Sequence, residues 1–171
     1  MKKIFFILYL AIFFISTASA QVFQKTLGEN ENIDMVIVTK DMFSLITEID
    51  SENKDDIKNF YGKLDYLATY TARDRNPSLQ IEKEAKKYVA SKGMKLLTKI
   101  KNARNSSELY YIPSNKKGYA RELLLLIRYT NGKTTLLYVK GDINMKKLSL
   151  LALQATGLDR NVLREAEKAV K

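Results

Sequence analysis

The stretch that most constrains this chain is Glu122–Ile143, ELLLLIRYTNGKTTLLYVKGDI, two apolar runs joined through Asn131-Gly132. Asn-Gly is the strongest short-range hairpin signal, because a two-residue turn needs positive φ at both central positions and these residues tolerate it. Such a turn sets Thr130 opposite Lys133, and the register follows by counting. One face then gathers Leu123, Leu125, Ile127 and Tyr129 with Thr134, Leu136 and Tyr138; the other gathers Leu124 and Leu126 with Leu137 and Val139. Both are apolar, the mark of strands in the middle of a sheet covered on both sides. The face of Leu124, Leu126, Leu137 and Val139 is expected either to be covered internally or to receive a partner.

The preceding segments supply the rest of a sheet. Asp34–Thr39, DMVIVT, is a strand-length run rich in β-branched residues. Met42, Leu45, Ile46 and Ile49 then recur at helical spacing after Thr39, giving a short amphipathic helix. Asp50–Asp56 reads as a polar loop or helix start, and Ile57, Phe60 and Tyr61 close one more turn before Gly62. From Lys63 the period becomes two: Leu64, Tyr66, Ala68 and Tyr70 oppose Asp65, Leu67, Thr69 and Thr71, a half-buried strand. Asn76 is placed to cap a helix whose first residue is Pro77, with Ile81, Ala85, Tyr88 and Val89 as its apolar stripe and Gly93 as its stop. Met94, Leu96, Thr98 and Ile100 alternate with Lys95, Leu97, Lys99 and Lys101, a further strand with a wet face. A shorter strand spans Leu109 to Ile112, where Pro113 limits it to an edge or an end.

Beyond the hairpin, Met145, Leu148, Leu151 and Ala152 predict an amphipathic helix that stops near Gly157. Asp159 caps a second, with Leu158 and Leu163 forming a hydrophobic staple. The element order indicates an α+β class: a largely antiparallel sheet with helices mainly on one face and a C-terminal helical pair.

The first twenty residues, MKKIFFILYLAIFFISTASA, pair two lysines with an apolar run and end in small residues, the pattern of a signal peptide cut before Gln21. An uncleaved anchor is the alternative, but the run from Ile4 to Ile15 falls short of the roughly 20 residues needed to span a bilayer. Residues 21–171 then form one domain in an extracytoplasmic, periplasmic or secreted location, with no membrane span. Loss of Lys2 and Lys3 takes the charge from +10 to +8, which favours anionic partners or simple solubility. Export argues against nucleic acid.

The chain has no histidine and no cysteine. Ser-His-Asp and Cys-His catalysis, the usual zinc ligand sets and disulfides are therefore excluded. No phosphate-cradling glycine motif occurs, Asp50–Asp56 lacks the glycine and terminal glutamate of a calcium loop, and no cofactor is expected. Two carboxylates alone can hydrolyse glycosides, which makes Asp65 and Glu122 the pair to examine; solvated charge at a strand face or end is the competing explanation. The basic stretch offers another site. Lys86, Lys87, Lys95, Lys99, Lys101 and Arg104 are expected to form a patch for an anionic lipid or glycan, with Lys95, Lys99 and Lys101 on one strand face. Lysines that discourage edge pairing are the alternative.

The export signal, the strand-helix-strand unit and the segment from Tyr110 to Ala152 together resemble the domain-of-unknown-function 4252 family of Bacteroidota. The most telling residues are Glu122-Leu123-Leu124-Leu125, the second apolar strand, and Gly141-Asp142-Ile143 leading to Leu148. The resemblance implies a small exported envelope protein without a catalytic motif, and its members' association with extracytoplasmic-function sigma factors implies stress or surface sensing. The resulting expectation is a non-enzymatic interaction module with a protein partner in the envelope, or a binder of anionic lipid or glycan through the basic stretch.

Overall fold

The computed structural model describes residues 22–49 and 61–145. The signal segment, the loop expected over 50–56 with its following turn, and the two helices expected after Met145 lie outside the described residues. Element order is α1 (Val22–Leu27), β1 (Ile33–Thr39), α2 (Lys40–Ile49), β2 (Leu64–Ala72), α3 (Arg75–Lys92), β3 (Lys95–Lys101), β4 (Asn105–Pro113), β5 (Tyr119–Tyr129) and β6 (Thr134–Asn144). The strands form one six-stranded sheet in the order β1-β2-β6-β5-β4-β3, and every neighbouring pair is antiparallel.

The β5–β6 hairpin occupies the centre, as its two apolar faces require. Its register differs from the expected one by a single residue. Tyr129 N–H donates to the Lys133 carbonyl at 2.9 Å and Gly132 N–H to the Tyr129 carbonyl at 3.1 Å, so three residues turn the corner. Gly132 takes a left-handed φ of 86° there, and Asn131 Oδ1 accepts from Lys133 N–H at 3.1 Å. This is the three-residue alternative, in which a left-handed glycine follows a tight turn. Arg128 therefore pairs with Thr134, and Leu123, Leu124, Leu125 and Leu126 pair with Val139, Tyr138, Leu137 and Leu136. Because side chains alternate with period two, one extra loop residue exchanges the partners on both faces.

One face packs Leu124, Leu126, Leu136 and Tyr138 with Tyr66, Ala68 and Tyr70 against Ile81, Ala85 and Tyr88 of α3 and Phe23 and Leu27 of α1. The opposite face joins Leu123, Leu125, Ile127, Leu137 and Val139 with Leu67, Leu109 and Phe43 of α2. Thus α1 and α3 lie on one side and α2 on the other. Phe23 is the hub of the first side, with ring centroids 4.9 Å from Tyr88 and 5.6 Å from Tyr138. Such tilted aromatic contacts add to the area they bury.

α3 carries the predicted stripe and ends at Gly93, but it begins earlier than Pro77. Asp74 is its N-cap residue, without a side-chain cap bond, and Ser78 N–H donates to the Asp74 carbonyl at 3.0 Å. Its two ends are tied to the central hairpin: Ser78 Oγ donates to the Gly132 carbonyl at 2.8 Å and Tyr88 Oη to Glu122 at 2.7 Å. Among the described side chains of α2, Phe43 is buried and stacked on Tyr61, while Met42 and Leu45 are 51% and 52% exposed. The expected stripe of Met42, Leu45, Ile46 and Ile49 is therefore displaced at its N-terminal half: a phenylalanine at the adjacent position buries more apolar area against β2.

Candidate functional site

The basic stretch does not form one patch. β3 and β4 shift register between Leu96 and Thr98, so Lys95 pairs with Tyr111 and Lys99 with Glu108. Tyr111 and Glu108 lie on opposite faces of β4, which separates Lys95 from Lys99 and Lys101. A bulge adds one residue and inverts the phase that strict alternation assumed. Lys99 is also not free to meet a partner's charge: its Nζ lies 2.8 Å from Glu108 Oε1. Lys86 pairs with Glu82 at 4.0 Å, whereas Lys87, Lys101 and Arg104 stand exposed.

Glu108 anchors a network that the sequence reading missed. Arg128 Nη2 reaches its Oε2 at 3.0 Å, Tyr110 Oη donates to the same oxygen at 3.2 Å, and Arg128 Nε lies 3.7 Å from Glu82 of α3. Burial alone would raise the Glu108 carboxyl, but the Lys99 hydrogen bond and the Arg128 and Lys99 charges outweigh it and hold it below the usual glutamate range. The network continues the attachment of α3 across the sheet where the apolar contacts give out.

Leu124, Leu126, Leu137 and Val139 do not share a face, and each is at most 5% exposed. Leu124 and Leu126 pack with α3; Leu137 and Val139 pack on the α2 side. They are core, and the surface expected to receive a partner there does not exist.

The carboxylate pair also dissolves. Asp65 is exposed and meets Lys40 at 3.6 Å at the start of α2. Glu122 faces α3, where its Oε2 accepts from Tyr88 at 2.7 Å and Tyr138 at 2.9 Å. Each acid is thus engaged by its own partners, Asp65 by a lysine and Glu122 by two tyrosines, and Asp65 sits in the bulge of β2. Burial pushes the Tyr88 and Tyr138 hydroxyls well above the ordinary tyrosine range, so both remain donors to Glu122. Burial raises the Tyr66 and Tyr70 hydroxyls, which interact with each other inside the α3-side core. Among the described residues no group of acids could hold a metal ion.

Two surface features remain. A cleft of about 290 Å³ lies at the β4–β5 turn, lined by Leu97, Tyr111, Lys116, Lys117, Tyr119 and Met145 among others. Lys116 Nζ sits 3.7 Å above the Tyr119 ring and 3.8 Å from Asp142. Its hydrogen bond and charge, with a further contribution from Lys63, hold the Tyr119 hydroxyl below its usual range. The only sequence signal for this cleft was the Lys116-Lys117 pair in a turn flanked by Tyr111 and Tyr119. The second feature is the β1 edge, where Met35 is 40% and Val36 59% exposed beside the uncovered Met42 and Leu45 of α2. Among the described residues no helix is long and apolar enough to cross a membrane.

No curated protein and no solved structure matches the chain significantly. A family model does match it, over residues 23–151, from the aromatic hub of α1 through all six strands; the chain belongs to the family described as domain of unknown function 4252.

Proposed function

We propose that this protein is exported to the cell envelope and works there by non-covalent contact with another macromolecule, in envelope-stress or surface sensing, and not by bond-making. The observation that carries the reading is a contrast in side-chain commitment. The acids available for chemistry are separated or engaged, Asp65 by Lys40, Glu108 by Lys99 and Arg128, and Glu122 by two tyrosines. The apolar side chains of Val36, Met42 and Leu45 stay exposed around one sheet edge. Exposed apolar area concentrated at one place is the usual footprint of a contact surface. The export component rests on the N-terminal pattern of two lysines, an apolar run and Ala18-Ser19-Ala20.

The test is site-directed crosslinking in intact envelopes. A thiol introduced at Met42 is expected to capture a macromolecule, whereas one at Lys87, on the outer face of α3, is expected to capture none. Equal labelling at the two positions, or retention of the protein in the cytoplasm, overturns the reading.

A second reading has its own observation. The Tyr111–Tyr119 cleft, with Lys116 and Lys117 on its rim, suits an anionic headgroup or acidic sugar, where the rings give an apolar surface and the lysines the charge. It relocates the anionic-partner site from the dispersed basic stretch to the β4–β5 turn.

A further inference from the structure

We infer that β1 pairs antiparallel with β1 of a second copy of this chain, joining the two sheets across a two-fold axis through Val36. The inference rests on the contact reading above and names the partner of its apolar edge.

The two edges of the sheet are built differently. β3 carries Lys95, Lys99 and Lys101 and is broken by the register shift at Leu97. Lysines and bulges are the standard means by which an edge resists pairing. β1, Ile33–Thr39, has neither. Its register with β2 runs without interruption from Ile33 opposite Ala72 to Thr39 opposite Tyr66, and Asp34 is its one charged residue. Among the described residues nothing pairs with its outer side. It is a seven-residue, largely apolar edge of unbroken register whose outer backbone donors and acceptors meet no strand among the described residues, the type that accepts another strand.

The occupant follows from what such an edge requires. A strand that pairs here must be extended, largely apolar and itself exposed along one edge. Of the two edge strands in this sheet, β3 fails on charge and on its bulge, and β1 of a second copy satisfies all three conditions. A two-fold axis through Val36 sets Val36 against its own copy, Met35 against Ile37, and Asp34 against Val38. The alternating faces continue across the junction, so Ile33, Met35 and Ile37 extend the α3-side core while Val36 and Val38 extend the other. No like charges meet: the two Asp34 side chains are offset by four residues, about 13 Å along the strand, beyond the Debye length of about 8 Å at physiological salt. Asp34 keeps its own partner, Arg73, at 3.6 Å.

The absence of cysteine makes the test clean. Val36→Cys introduces a unique thiol, and directly opposed antiparallel residues have Cα atoms about 4.5–5.5 Å apart, inside the range of about 4.4–6.8 Å that disulfides span. Mild oxidation of the mature chain is expected to link Val36→Cys into a dimer, and to leave Leu96→Cys, 52% exposed on the opposite edge, unlinked. Light scattering is expected to give the wild type twice the mass of one chain. Val36→Lys, at a position already open to solvent, is expected to halve that mass without lowering the melting temperature of the dissociated chain. A wild type of single-chain mass, whose Val36→Cys variant links no more than Leu96→Cys, overturns the pairing. If the Val36 thiol then captures a different protein in envelopes, the pairing fails and the contact reading stands. If thiols at both Val36 and Met42 capture nothing, both fail.

Discussion

The Tyr88 hydroxyl donates a 2.7 Å hydrogen bond to Glu122 Oε2, joining the last turns of α3 to the mouth of the central hairpin. Tyr138 donates to the same oxygen from β6, and the two hydroxyls lie 3.1 Å apart. Burial raises both tyrosines above the 10.0 of an exposed phenol. A raised acid stays protonated in the folded chain after its unfolded counterpart has ionised. The stabilisation is therefore complete below about pH 10 and is lost as pH climbs toward the folded values. The melting temperature is expected to fall steeply above about pH 10, and less steeply in Tyr88→Phe/Tyr138→Phe. A double variant with an unchanged alkaline slope contradicts this account.

Glu108 behaves in the opposite sense. Its carboxyl is held below the ordinary value of 4.5, so its contribution is present above about pH 4.5 and disappears as pH falls through the folded value. Glu108→Gln is expected to cost about 2 kcal/mol at pH 7 by chemical denaturation, a cost that shrinks as pH falls below 4.5. That is below the roughly 3–5 kcal/mol of a fully buried pair, because Lys99 remains half in water.

Gly141 marks the crossing where β6 passes the bulge in β2. It adopts φ of 150°, and an added Cβ would lie 2.5 Å from the Lys63 carbonyl oxygen and 2.7 Å from Leu64 Cα. Both atoms are backbone and cannot swing aside. Gly141→Ala is expected to cost about 3 kcal/mol from overpacking and backbone strain together, or to prevent accumulation of folded protein, as denaturant titration and expression yield would show.

The phase of α2 is open to a direct comparison. Phe43→Ala removes a 2% exposed ring and is expected to cost about 3–5 kcal/mol. Met42→Ala, one residue earlier, is expected to change stability by no more than about 0.5 kcal/mol. Equal effects would restore the periodicity read from the sequence.

For the cleft, replacing Lys116 and Lys117 together by alanine removes about 1 kcal/mol of headgroup attraction per lysine, roughly a 30-fold loss of affinity for acidic vesicles at low salt. Lys99→Ala is expected to change vesicle affinity little, because its charge is already met by Glu108. Indifference of vesicle binding to the Lys116/Lys117 change would dispose of that site.

Within the sheet, the errors of the sequence reading share one cause. Strand identity was legible because apolar alternation is a local property, and the course of α3 was legible in Ile81, Ala85, Tyr88 and Gly93. Register was not. The Asn131-Gly132 turn closes with three residues instead of two. The bulge near Leu97 is invisible in KLLTKIK, since Leu96 and Leu97 are equally apolar. Each single-residue slip moves every later side chain to the other face, which is why Leu124 and Leu137 were expected on one face and Lys95 and Lys99 on another. The Lys116–Tyr119 cleft could not be seen either, because it needs Leu97 and Met145 brought alongside from distant strands.

The strands, the central place of the doubly apolar hairpin, the antiparallel α+β class and the lack of histidine and cysteine chemistry were readable from the chain as written. These follow from composition and from periodicities of a few residues. Which side chains share a face, which partners Asp65 and Glu122 take, and that the β3 edge carries lysines and a bulge while β1 pairs without interruption emerged with the three-dimensional packing. Those depend on hairpin loop length and bulge placement, where conformations of similar local energy are separated by the packing of the whole sheet.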